Sequence, residues 1–171
     1  MKRINSLSFL AALLLASNVN AEGYLGFGIG KVDPDLGSEF DDPTGFELSG
    51  GAMLNDSIAV ELFYTDLGSS KDNFAPTWTV DASTIGLGLA AFAPVNESFS
   101  LAARFGVHSW DAELSEAGVG TLLEDDGTDI YFGIGALLRA SEKVSVGLRY
   151  TQYTFDDLDP SMISVSVIMD L

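Results

Sequence analysis

Glu47, Glu61, Arg104, Arg139 and Arg149 stand inside segments that otherwise alternate apolar with small residues. Ions in such surroundings either pair within a core or work as a switch on a path through it, because an unpaired charge out of water is costly. Counted from the nearest short turn, Glu47 lies about seven residues up, and Arg104 and Arg149 about six. The spacing therefore predicts that they share a level and pair, with Glu61 as a fourth member. A structural salt-bridge core and a switchable gate for a small pore both fit this pattern.

Other chemistry has less to stand on. His108 precedes Ser109 in "VHSW", but neighbours on a strand point to opposite faces, so they cannot work as base and nucleophile. His108 reads as a histidine of the interior or the rim. Acidic runs occur at Asp33, Asp35, Glu39, Asp41 and Asp42, and again at Glu124, Asp125, Asp126 and Asp129. Neither has the spacing and central glycine of an EF-hand, and both read as solvated loops. "GFGIGK" has no helix after it and carries no nucleotide signal. No catalytic residue, metal site or cofactor is expected.

The elements that hold these residues are strands. The first 21 residues read as a secretory leader: Lys2 and Arg3, the apolar run Leu7 to Ala16, then "VNA" at the cleavage position. A barrel domain is expected over residues 22–171. Without Lys2 and Arg3, 6 of the 8 basic residues remain against 25 acidic ones, a formal net charge of −19. So negative a chain will not hold nucleic acid through its phosphates. It has no cysteine, which excludes disulfides and thiolate metal sites. No later stretch approaches the roughly 20 apolar residues of a membrane helix. Yet 47% of the chain is hydrophobic, and 18 residues are glycine.

Period-two alternation accounts for that content. It predicts eight strands, at 23–32, 44–54, 57–67, 78–92, 98–110, 128–140, 143–154 and 162–171. Short turns at 54–57, 93–98 and 140–143 alternate with longer, mostly acidic connections, among them 111–127. "DSIAVELFYT", "ESFSLAARFG" and "EKVSVGLRYT" follow the short turns and align position by position, so the unit is a hairpin. Four hairpins make an all-β, antiparallel up-and-down sheet that must close to remove its edges.

One face is bulky: Phe27 and Ile29, Leu87 and Leu89, Phe132 and Ile134, Val165 and Val167. The other is mostly Gly, Ser, Ala and Thr with the few ions named above. A water-facing side would carry many more charges. The bulky face is therefore expected to meet lipid and the small face to line a narrow lumen, as in a transmembrane barrel. Tyr64, Phe105 and Tyr150 lie roughly 17 Å above the short turns, at the place of an interfacial aromatic girdle, with Phe99 near the lower interface.

At this point the sequence resembles a known family. "GIGALLRASEKVSVGLRYTQYTFDDLD", the terminal "SVSVIMDL" and "NDSIAVELFYTDL" resemble OmpA-like outer-membrane barrels of the OmpX/Ail type. The resemblance implies eight strands in the outer membrane of a Gram-negative cell, with short turns and both termini periplasmic. It also implies insertion by the barrel-assembly machinery, guided by Val165, Val167 and Met169; Leu171 stands where an aromatic is usual. It further implies contact with outer-membrane lipids and lipopolysaccharide, and an ionic cluster that plugs or gates the lumen. The peptidoglycan-binding domain of full-length OmpA is not expected.

The leading functional expectation is a structural or surface-interaction barrel. The alternatives are a narrow channel or carrier for small or hydrophobic solutes, and an exported lipocalin-like binder with the two faces reversed. Cell fractionation separates the last from the others: a membrane barrel is extracted only by detergent and migrates differently on gels when unheated and when boiled. Recovery in the periplasmic fraction without detergent would favour the reversed barrel.

Overall fold

Alternation of side chains becomes alternation of sides in a closed barrel. A computed structural model describes residues 22–72, 77–156 and 158–171; the expected leader, residues 1–21, lies outside them. The strands are β1 (Gly23–Asp33), β2 (Thr44–Asn55), β3 (Ile58–Lys71), β4 (Trp78–Pro94), β5 (Phe99–Glu116), β6 (Gly120–Arg139), β7 (Val144–Tyr153) and β8 (Ser161–Asp170). Each pairs antiparallel with its chain neighbours, and β8 returns to β1 from Tyr24↔Asp170 to Asp33↔Ser161. Closure pairs the backbone all the way round, as a strand structure in hydrocarbon requires.

At one end the turns are tight, and two of the three are built on asparagine. Asn55 Oδ1 accepts the Ser57 N–H at 2.9 Å, and Asn96 Oδ1 accepts the N–H groups of Ser98 and Phe99 at 2.9 Å each. A short polar side chain standing in for a backbone carbonyl favours such turns. At the other end, the expectation of a long acidic loop over 111–127 is overturned. There β5 continues to Glu116 and β6 starts at Gly120. The turn between them is closed by Gly118 and Gly120 at φ +85° and +104°. Acidic side chains had disguised a continuing period of two: Asp111 faces Asp126 and Glu113 faces Glu124 across the hairpin. Like charges abreast are unfavourable in a sheet, but water and salt weaken the repulsion at this exposed end.

The apolar face points outward. Leu87, Ile134 and Val165 are 51%, 61% and 54% exposed, whereas Arg104, His108, Thr65 and Ser166 on the opposite face are buried. The reversed, lipocalin-like arrangement is thereby excluded. Arg139 departs from the expectation of an interior charge. It ends β6 at the short-turn side and is exposed, beyond the part of the lumen that could bury it.

The expectation is a lumen filled mostly by small residues and an ionic cluster; the structure has the cluster but adds large side chains. Its largest fully buried side chains include Tyr131, Tyr153, Phe63 and Met162. An upper apolar layer unites these with Val32, Leu67, Trp110 and Phe155, and a lower layer joins Tyr24, Ala59, Ala90 and Ile168. The glycines on the inner wall make room for the rings. Phe63 lies against Gly86, and a Cβ at Gly127 would come within 2.6 Å of the Trp110 ring. Narrowness thus comes from ring on glycine, with small and large residues complementary across strands.

If the outer face lies in hydrocarbon, Ile134→Arg should destabilise the barrel by about 2–4 kcal/mol. Urea unfolding of the protein refolded into lipid vesicles measures this. An unchanged midpoint would place Ile134 in water.

Candidate functional site

Between the two apolar layers lies a set of ions drawn from four strands. Glu47 comes from β2, Glu61 from β3, Arg104 from β5 and Arg149 from β7, and all four are buried. Each occupies an inward position of its strand, so alternation alone aims it at the axis. Arg104 Nη1 donates to Glu47 Oε1 at 2.8 Å, and Arg149 Nη1 donates to the same oxygen. Arg104 Nη1 also lies 3.4 Å from Glu61 Oε1. Two carboxylates thus face two guanidiniums, and the lumen carries its ions without net charge at this level.

Neutral groups complete the set. The Thr65 and Tyr153 hydroxyls lie 3.3 and 3.4 Å from Glu47 Oε2 and 3.1 Å from each other. The Tyr24 hydroxyl donates to Glu61 Oε2 at 2.6 Å. The Arg104 guanidinium sits over the Phe63 ring at 4.3 Å and the Tyr131 ring at 5.0 Å from their centroids. Ring faces attract a cation that has lost its water. One arginine is thereby held by charge on one side and by aromatic faces on the other.

Sequence reasoning named the ions but missed Tyr24, Thr65, Tyr153, Phe63 and Tyr131. Their signal was parity: each stands on the inward side of its strand, two or four residues from another inward residue. His108 is a lumen residue, 2.6 Å through Nδ1 from the Thr84 hydroxyl and 5.5 Å, ring to ring, from Tyr153. Ser109 lies on the outer side, where its hydroxyl meets that of Thr128 at 3.0 Å. The two cannot meet. Of the four girdle residues, Phe105 is 60% exposed and Tyr64, Phe99 and Tyr150 are half-buried, all on the outward side.

Carboxylates of the first acidic connection bind backbone: Asp41 Oδ1 accepts the Lys71 N–H at 2.6 Å, and Asp35 Oδ2 accepts the Asp159 N–H at 3.0 Å. Asp129, within β6, accepts the side-chain Nε1–H of Trp110 through Oδ2 at 2.9 Å. Among the described residues no group of three carboxylates or histidines is placed to hold a metal ion.

The arrangement can hold strands together and close a path. Removing one partner of a buried ion pair leaves an uncompensated charge, so Glu47→Ala should cost about 3–5 kcal/mol. Glu61→Gln should cost less, since it loses one contact at 3.4 Å and can keep the bond from Tyr24. Urea midpoints of the refolded variants test the order, and equal losses would contradict the central place of Glu47.

Comparison with known proteins follows the same lines. A model of the outer membrane protein beta-barrel domain family matches residues 6–169. A search of curated proteins finds no match to this chain. Among solved structures, Ail, the attachment invasion locus protein of Yersinia pestis, is 18% identical with a TM-score of 0.60, over 90% of this chain and 100% of that one. Neisserial surface protein A is 15% identical with a TM-score of 0.66, over 88% and 96% of the two chains. OprG from Pseudomonas aeruginosa is 13% identical with a TM-score of 0.61, over 87% and 96%. A second structure of Ail holds the heparin analogue sucrose octasulfate. At these identities the likeness is one of fold, while the family match spans nearly the whole chain. The chain belongs to the outer membrane protein β-barrel family, and its place is the outer membrane.

Proposed function

We propose that this protein is a closed barrel with a structural or surface-interaction role, and that it neither conducts solutes nor catalyses a reaction. The observation that carries the reading is the stack inside the lumen: rings above, ions in the middle, Tyr24 and its neighbours below. An eight-stranded barrel has an interior just wide enough for side chains to fill, and here large ones fill it. The ionic cluster of Glu47, Glu61, Arg104 and Arg149 acts as a brace in this reading. A gate would need an open stretch of lumen on each side, and apolar layers occupy both.

Several further assignments belong to the same reading. Residues 1–21 are a cleaved leader, and residues 22–171 form the mature barrel. Tyr64, Phe99, Phe105 and Tyr150 anchor it at the two lipid interfaces, where amphipathic rings gain most. The short turns and both termini face the periplasm, and the longer acidic connections face the exterior beside lipopolysaccharide. Insertion proceeds through the barrel-assembly machinery, guided by β8. Ail binds a polysulfated heparin analogue in its own structure. The carboxylates at the long end of this barrel would repel such an anion, so the surface role proposed here is for a different class of partner.

Planar-bilayer recording tests the closed lumen. The purified barrel should give no discrete conductance steps. Steps that change in size or frequency on Glu47→Ala or Arg149→Ala would overturn the reading in favour of a narrow channel.

A further inference from the structure

Beyond the top of β7, strands β4, β5 and β6 continue as a raised sheet, with β3 beside β4 as far as Lys71↔Thr79. The β6–β7 pairing stops at Tyr131↔Tyr153, whereas β5 and β6 stay paired to Glu116↔Gly120 and β4 follows β5 to Trp78↔Glu116. One face of this sheet carries Thr84 and Trp110 lower down, where it closes the lumen. On the same face, higher up, Val80, Leu114 and Leu123 stand abreast on β4, β5 and β6, with Trp78 one step above. Leu123 is 60% and Trp78 43% exposed.

The row is left open while its neighbour is covered. Over β3 the first long connection lies close: the Ser70 hydroxyl donates to the Asp41 carbonyl at 2.6 Å, and the Asp41 N–H donates to the Lys71 carbonyl at 3.0 Å. No such cover extends over Leu123 and Trp78 among the described residues. An aliphatic and aromatic row shared by three strands and turned away from lipid is an unfilled contact surface.

Charge decides what fills it. Glu116 lies opposite Trp78 and Asp125 opposite Ala112 on the same face, and the outer face of these strands sets Asp81, Glu113 and Glu124 abreast. Among the described residues the cations stand elsewhere. Arg104 and Arg149 are inside the barrel, Arg139 and Lys143 are at the short-turn end, and Lys31 and Lys71 stand on the outward side of their strands. A second copy would bring carboxylates against carboxylates, and a phosphate-bearing lipid surface would be repelled in the same way. A positively charged partner alone gains at every step of the approach.

We propose that the inner face of the raised β4–β5–β6 sheet docks a cationic amphipathic polypeptide segment of another protein. Its apolar side chains cover Val80, Leu114, Leu123 and Trp78, and its lysines or arginines reach Glu116 and Asp125. The proposal deepens the surface-interaction reading and rests on it.

The test uses the folded protein in a nanodisc of zwitterionic lipid, with the empty nanodisc as reference. The probe is an eight-residue peptide alternating lysine with valine. Two matched peptides accompany it, one alternating glutamate with valine and one alternating lysine with serine. Tryptophan emission reports on the row, because Trp110 is buried and Trp78 is not. The lysine–valine peptide should shift the emission to the blue and bind at least tenfold more tightly than either matched peptide. The shift should vanish in Trp78→Phe, and affinity should fall at least tenfold in Leu123→Ser and in Glu116→Gln/Asp125→Asn. These positions are exposed or half-buried at the rim, and an unchanged heat-dependent gel shift verifies that the variants fold. Binding that is equal for the glutamate–valine peptide, or unchanged by Leu123→Ser, overturns the proposal. So does a dimer in sedimentation that Leu123→Ser abolishes, which would assign the row to a second copy. A barrel that conducts nothing yet ignores the peptide overturns the docking alone. A barrel that conducts and still binds overturns the closed lumen and keeps the docking.

Discussion

The inside of an eight-stranded barrel is too narrow for bulk water and, in this chain, not purely apolar, so its polar groups must solvate one another. Glu47 is where that constraint is met. One of its oxygens accepts from Arg104 and Arg149, and the other faces Thr65 and Tyr153, so a single carboxylate ties β2 to β3, β5 and β7. In a site of low dielectric each of these contacts is stronger than in water, and a missing partner is correspondingly costly. Arg104 shows the same economy, with a carboxylate before it and two ring faces beside it.

The wall and the filling depend on each other. Glycine on the inner wall lets Phe63 and Trp110 lie flat against the backbone, and those rings then roof the ions. The lower layer around Tyr24 closes the opposite side while its hydroxyl donates to Glu61 Oε2. Outside, branched and aromatic side chains need only match lipid, so they show little of this complementarity. The barrel therefore has a specific interior and a generic exterior.

The fold was legible because the side-chain period is two and the two faces differ in kind. Bulk on one side and glycine, serine and a few ions on the other decide sidedness without any tertiary knowledge. Strand limits on the lipid-bound parts followed to within a few residues. The raised β5–β6 hairpin was not legible, because its outward positions change from apolar to acidic once they leave the lipid, and Asp111, Glu113, Glu124 and Asp126 look like loop. The aromatic filling was missed for another reason. Tyr131 and Tyr153 stand among glycines and threonines on inward positions, and a count of the dominant small residues hides the few large ones. Which ions meet could be argued from distance to the turns, but which oxygen each arginine takes depends on barrel curvature that sequence does not display.

Sidedness is the claim on which the lumen, the brace and the rim all depend, and a chain without cysteine allows it to be read directly. Single cysteines at Leu87, Ile134 and Val165, and at Ser164 and Ser166 on the inner face, can each carry a nitroxide in the bilayer-embedded protein. The measurement is collision with oxygen, which dissolves in hydrocarbon, against collision with a water-soluble nickel complex. The account predicts high oxygen and low nickel access at the first three positions, and low access to both at the two serines. Nickel access at Leu87, Ile134 and Val165 that exceeds oxygen access would contradict it.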